Sequence, residues 1–318
     1  MHIPDGYLGP KTCIALYSVM AGVWYLAFRR TRERLQAEQL PLCAFASAFM
    51  FVVMMFNFPL PGGTTAHITG ATIVSIVLGP WAGIVAVSVT LFLQALLFGD
   101  GGLTTFGANA FNMAFLMSMS GFYIYSAIER GDRKRVFIAS FVAAYVGVAL
   151  SSLATAVELG LQPALEASDG KPLYAPYPLS ITLPAIMVPH LFFVAPIEGI
   201  ATALVITYLA RTEPAIFTTS VKPSTARLWI ILVLLSVLSP LGLLASGNAW
   251  GEWGKEEFLD ILGYIPEGMD YLGGIWGGLF SDYEVEGLSA WAGYVVSALM
   301  GSFFAVVSIY IIGRIWKR

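Results

Sequence analysis

Apolar residues run along this chain in long blocks, each near the length of about 20 residues that crosses a bilayer as a helix. The blocks fall at roughly 10–28, 41–58, 81–98, 107–128, 136–158, 180–210, 227–246 and 291–313. A shorter apolar piece, about 68–79, ends at Gly79-Pro80 and is too short to cross unless it packs inside protein. Counting it predicts nine segments. The expected fold is all-α: a polytopic transmembrane helical bundle of about seven core helices plus two C-terminal helices.

The basic residues test that count. They cluster at Arg29–Arg34, Arg130–Arg135, Arg211–Arg227 and Arg314–Arg318. With the N-terminus outside and nine crossings, all four clusters fall on the cytoplasmic side, where Lys and Arg collect. Dropping the short segment puts the last three opposite the first. The expectation is therefore a multi-pass protein of the cell membrane with an extracytoplasmic N-terminus and a cytoplasmic C-terminus. Composition agrees: 57% of the 318 residues are hydrophobic and 12% charged, against about 25% charged in a soluble domain. Mean hydropathy is +0.75. A net charge of -3 argues against nucleic-acid binding. The start Met1-His2-Ile3-Pro4-Asp5-Gly6-Tyr7-Leu8 lacks a basic leader region, so the first block reads as a true span. Cys13 and Cys43 show no paired spacing and are expected to be buried free thiols.

Four polar stretches then face outward. They are the N-terminal tail, Pro59 to His67, Gly99 to Thr105, and the long stretch 247–290. The last holds nine Asp/Glu against one lysine, Lys255. Such a loop is expected to be solvated, with a secondary role in concentrating cations. The organisation is read as a core of 1–210 and an auxiliary two-helix segment of 211–318, without an internal repeat.

The histidines are three: His2, His67 and His190. His2 and His67 share the outer side. An α-amine titrates near 7.7–8.0, so a metal displaces its proton easily. The Met1 amine, the His2 amide nitrogen and the His2 ring nitrogen close two fused chelate rings, and His67 supplies a fourth nitrogen. Square nitrogen coordination suits Ni(II) or Cu(II), with Co(II) also open; tetrahedral Zn(II) fits poorly. Termini are disordered by default, but Pro4 and Gly6 suit a fixed turn. His190 and Glu198 lie in an apolar run. They are candidates for orienting a ligand, for a polar pathway, or for bracing a helix kinked by Pro184, Pro189 and Pro196. Asn57, Gln94, Asp100, Asn109 and Asn112 are further polar residues in or near the spans, the amides suited to interhelical hydrogen bonds. Of the methionines, most are expected to fill the core. There is no phosphate loop, no HExxH and no Gly-x-Ser-x-Gly elbow. No catalytic residue is assigned, and energy for uphill movement has to come from another subunit.

These residues resemble a known family: the substrate-capture (S) component of cobalt/nickel energy-coupling-factor (ECF) transporters, CbiM/NikM type. The matching pieces are Met1 to Leu8, Asn57-Phe58-Pro59 through Gly62-Gly63-Thr64 to His67, Leu78 to Trp81, Gln94 to Gly102, Gly107 to Met113, and His190 to Gly199. The resemblance implies a seven-helix fold with the tail inserted into the bundle from outside. It implies a metal held at Met1, His2 and His67, with Ni(II) or Co(II) as transported substrate and no catalytic cofactor. It implies a transmembrane coupling (T) subunit and two ATPase subunits as partners. Residues 225–318 resemble the fused auxiliary segment of such proteins, with Ile265-Pro266-Glu267-Gly268-Met269 a loose counterpart of its Pro-Asp-Gly-Leu-Glu motif. The competing expectations are an ion-coupled carrier or channel using Glu198, His190 and Asp100 and, from another class, an intramembrane metalloenzyme.

Overall fold

The computed structural model describes residues 2–34, 39–60, 64–217, 226–245, 253 and 255–316. In chain order the elements are α1 (Pro10–Arg34), α2 (Leu40–Met54), the strands β1 (Asn57–Leu60) and β2 (Thr64–His67), α3 (Ala71–Leu78), α4 (Pro80–Phe98) and α5 (Phe106–Glu129). They continue with α6 (Val136–Leu165), α7 (Leu179–Thr212), α8 (Ala226–Leu244), α9 (Lys255–Leu262), α10 (Glu267–Leu272) and α11 (Ala290–Trp316). Among the described residues, seven helices are long and apolar enough to cross a membrane: α1, α4 to α8, and α11. The apolar α2 and the eight-residue α3 complete the nine segments that the charge pattern calls for. The chain is a multi-pass membrane protein built as an all-α bundle.

The short α3 needs no lipid because it is packed inside protein. Ala71 through Ile76 are all buried. Small residues let its neighbours close in: a Cβ on Gly83 of α4 would lie 2.5 Å from Ser75 Oγ, and one on Gly121 of α5 would lie 2.8 Å from Thr72 Cγ2. Small-residue contacts of this kind drive helix packing where apolar burial gives no advantage over lipid.

Two expectations are corrected. The block 41–58 does not stay helical to its end. The helix stops at Met54, and Asn57–Leu60 turns into an antiparallel pair with Thr64–His67 that sets Asn57 opposite His67. Pro59 explains this, since a proline biases the residue before it toward extended backbone. The stretch 247–290 is more than a solvated loop. It contains α9 and α10 and buries Phe258, Met269 and Tyr283 to 1%, 5% and 8% exposure. Apolar residues interleaved with the acidic ones form the packed face. Cys13 and Cys43 are free and buried, as expected.

Three spans contain a π-helical turn: Gln94–Phe98 in α4, Ala110–Leu116 in α5 and His190–Val194 in α7. Such turns add a residue to the helical register and concentrate at functional sites. Each holds one of the polar residues singled out above, Gln94, Asn112 and His190.

Candidate metal site

The N-terminal tail is the first element of the site, and it is fixed rather than frayed. Ile3, Tyr7 and Leu8 are buried apolar anchors, and His2 is only 6% exposed. Asn109 clamps the backbone of Ile3 from both sides: its Oδ1 accepts from Ile3 N at 2.8 Å and its Nδ2 donates to Ile3 O at 3.0 Å. Gly102 N donates to the same carbonyl at 2.9 Å. Asp5 accepts from the backbone of Leu103 at 3.0 Å and of Thr104 at 2.7 Å, and from the Thr104 hydroxyl. Gly9 N is held by Gln162 Oε1 at 2.9 Å. Gly102 leaves room for the tail, because a Cβ there would overlap Asp5. The 102–104 turn, α5 and α6 therefore hold the tail, which overrides the default disorder of a terminus.

This docking brings His2 beside His67, the last residue of β2. Their ring centroids are 5.1 Å apart with the planes 26° from parallel. His2 Nδ1 lies 2.6 Å from Asp100 Oδ1. His2 Nε2 is buried with no hydrogen-bond partner among the described residues. His67 Nδ1 approaches Ile68 O at 3.3 Å. Met1 lies outside the described residues. Among the described residues no three His, Cys, Asp or Glu side chains form a metal-holding group. The site thus offers two imidazoles, one of them with an unused buried nitrogen.

Its electrostatics favour neutral imidazole at His67. Enclosure by protein pushes the His67 pKa down to about 3, with His2 adding to the shift. Burial alone would raise the Asp100 carboxyl; the His2 ring outweighs it, with His67 and the Tyr283 hydroxyl helping, and holds Asp100 below the usual carboxylate range. The His67 shift has a sign. Unfolded His67 titrates near 6.5 and the folded residue near 3. Between those values the unfolded chain binds a proton that the folded chain does not. The His67 contribution to stability is then flat above pH 6.5 and falls as pH drops toward 3, by at most about 1.4 kcal/mol per pH unit. Thermal melting of the detergent-solubilised chain is expected to drop between pH 7.5 and pH 5, with a shallower dependence in His67→Gln. Parallel slopes for the two proteins would contradict the assignment.

The other predicted residues sort by position. Asn57 stands opposite His67 in the hairpin. Glu198 is fully buried and reaches from α7 to the turn after β2, accepting from Thr69 N at 2.7 Å, Thr69 Oγ1 at 3.0 Å and Gly70 N at 2.9 Å. It caps α3, whose N-cap Gly70 has no side chain to do so. His190 bonds within its own helix, Nδ1 to Ile186 O at 2.7 Å. The two are therefore not partners. Gln94 donates to the Tyr283 hydroxyl at 3.4 Å. Asn112 donates to Thr155 at 3.2 Å and to Glu158 at 2.8 Å.

Tyr283, Glu158 and Asn109's grip on Ile3 were not evident from sequence. Glu158 could have been found as a carboxylate inside an apolar run. Tyr283 carried no signal, being one of 14 tyrosines in a polar loop. Its hydroxyl donates to Asp100 Oδ2 at 2.5 Å.

Comparison with known proteins gives the family. Residues 2–216 match the model of the cobalt uptake substrate-specific transmembrane region, and residues 225–318 match the PDGLE domain. A probable fused nickel transport protein, LarMN, of Lactiplantibacillus plantarum is 43% identical over 309 residues, covering 94% of this chain and 93% of its own. A fused nickel transport protein, NikMN, of Rhodobacter capsulatus is 41% identical over 334 residues, covering 97% and 96%. The crystal structure of a transition metal transporter superposes with a TM-score of 0.63 at 44% identity, covering 67% of this chain and 94% of that one. On these matches the chain belongs to the family of cobalt uptake substrate-specific transmembrane proteins, carrying a fused PDGLE domain.

Proposed function

We propose that this chain captures nickel or cobalt as the substrate-specific subunit of an ATP-driven ECF transporter, with the metal held by Met1, His2 and His67. The observation that carries the proposal is the pairing of the two rings 5.1 Å apart, with His2 Nε2 buried and without a partner among the described residues. A polar nitrogen buried without a partner is costly, and it gains one on capture, when the ring turns to give Nδ1 to the metal and Nε2 to Asp100. The remaining donors are main-chain nitrogens, the Met1 amine and the His2 amide. A fused chelate through that amide uses Nδ1, the nitrogen that faces Asp100 here. Capture then includes a turn of the His2 ring about its Cβ–Cγ bond, after which the other nitrogen donates to the carboxylate. A metal-bound histidine commonly donates its second N–H to such a group.

The fused nickel transport proteins of L. plantarum and R. capsulatus support the same reading for this chain. The partners proposed are a coupling subunit and two ATPase subunits, with ATP hydrolysis assigned to the latter; the resemblance to fused nickel transport proteins supports this. The orientation proposed is N-terminus outside and C-terminus inside, with a capture core of 1–210 and an auxiliary segment of 211–318. A carrier path through His190, Glu198 and Asp100 draws no support from the geometry, since each is committed to a different partner.

The direct test is equilibrium dialysis of the purified full chain against Ni(II) or Co(II) with Mg(II) in large excess. One ion bound per chain, undisturbed by Mg(II), is expected, because nitrogen donors suit the transition metals and oxygen donors suit Mg(II). Displacement by Mg(II) would contradict a nitrogen site.

A further inference from the structure

The capture core does not complete its own site. The hydroxyl that holds Asp100 against His2 comes from Tyr283, 183 residues further along and inside the stretch matching the PDGLE domain. We infer that Tyr283 is a positioning residue for metal capture: its hydroxyl anchors the Asp100 carboxylate that orients the His2 ring. This inference rests on the metal site proposed above.

Both Asp100 oxygens are engaged, Oδ1 with His2 Nδ1 at 2.6 Å and Oδ2 with the Tyr283 hydroxyl at 2.5 Å. A carboxylate held at both ends cannot rotate without losing one bond. Tyr283 is in turn fixed on every side. Its ring stacks on Phe98 with centroids 4.7 Å apart and meets Tyr294 at 5.4 Å. Ser297 Oγ donates to its carbonyl at 2.8 Å, and Gln94 Nε2 donates to its hydroxyl at 3.4 Å.

The backbone carries an independent sign. Asp282 and Tyr283 have φ of +55° and +63°. Left-handed backbone is unfavourable for a bulky residue and persists where the surroundings over-determine it, as at functional sites. Here the strained turn aims the ring inward. The same loop grips the turn before Asp100. Phe280 N donates to Leu97 O at 2.7 Å, and Trp276 Nε1 donates to Leu96 O at 2.9 Å. Gly278 lies so close to Gly99 that a Cβ on it would fall 2.5 Å from Gly99 N. The auxiliary segment thus fixes both the turn carrying Asp100 and the carboxylate itself.

The test is Tyr283→Phe in the full chain, which keeps the stacked ring and removes the hydroxyl. Ni(II) binding is expected to weaken about 10- to 100-fold, the usual cost of losing a partner behind a metal-bound histidine, with the Ni(II) absorption bands unmoved. Asp100→Asn alone should lose at least as much. In the Asp100→Asn background, Tyr283→Phe should have no further effect, because the two act in series. Binding of Tyr283→Phe at the parent affinity would overturn the inference, reducing Tyr283 to a packing ring. Additive losses in the double variant would overturn it as well. Undiminished binding by His67→Ala would instead remove the metal site itself, whatever Tyr283 does.

Discussion

Replacing His67 with alanine, or inserting one alanine between Met1 and His2, is expected to reduce Ni(II) affinity by roughly 100-fold or more. The magnitude follows from losing one of four nitrogen donors. A four-ligand protein site is worth about 10–16 kcal/mol, so one donor carries about 3 kcal/mol. The two variants probe different halves of the site. His67→Ala removes the ring that stands 5.1 Å from His2. The insertion keeps every histidine and alters the spacing between amine and imidazole, so it bears on the main-chain donors alone. Equilibrium dialysis or isothermal titration of the purified variants reads both. The insertion itself creates an amine, two amides and an imidazole able to close a planar four-nitrogen chelate. Tight binding by the inserted chain therefore counts against the amine chelate only where it still requires His67. If it does, the imidazoles hold the ion without the Met1 amine. If neither variant loses affinity, the metal lies elsewhere and the proposed function loses its site.

Glu198→Ala is expected to produce the largest structural effect. The carboxylate is 0% exposed and takes three hydrogen bonds from Thr69 and Gly70. Removing it leaves two backbone N–H groups buried beside the unfilled cap of α3. Each buried N–H left without an acceptor costs about 1–3 kcal/mol, so the pair costs about 2–6 kcal/mol. For a chain of this size that corresponds to a fall in melting temperature of about 10 °C. His67 lies two residues before Thr69, so the hairpin should loosen and Ni(II) affinity fall together with stability. Glu198→Gln, which keeps one acceptor oxygen, should recover part of both. Unchanged melting of Glu198→Ala would show that the clasp contributes nothing. Lost metal binding at full stability would point to a direct role on the ion path.

Much of this protein was legible before any coordinates. Long apolar blocks become spanning helices because a backbone in lipid must satisfy its hydrogen bonds within the segment. The placement of Arg clusters made the short segment 68–79 count, and α3 is that segment, buried inside protein. His2 and His67 were nameable because histidine is scarce here and both fall on one side of the predicted topology. Asp100, Gln94 and Asn109 were visible as polar residues near helix ends. Their partners were not. Asn109 could be named as an amide, while its bidentate hold on Ile3 depends on where the tail lies.

Glu198 shows the same limit. Its place in an apolar run marked it as consequential, yet His190, eight residues earlier, was the nearest partner on offer. The structure gives each a different one. Residues eight apart in a helix with a π turn need not share a face, and α7 turns Glu198 toward the Thr69–Gly70 turn.

Sequence by itself determined the class of the protein and the count of its membrane segments. Periodicity, hydropathy and charge are local properties, and these conclusions need nothing else. Only the tertiary structure decided that the tail is rigid, that Asp100 faces His2, and that Tyr283 reaches Asp100 across 183 residues. It also decided that the acidic stretch is a packed cover bearing Phe258 and Met269. Those facts depend on which surfaces meet when the segments pack, and no local pattern in a single chain encodes that.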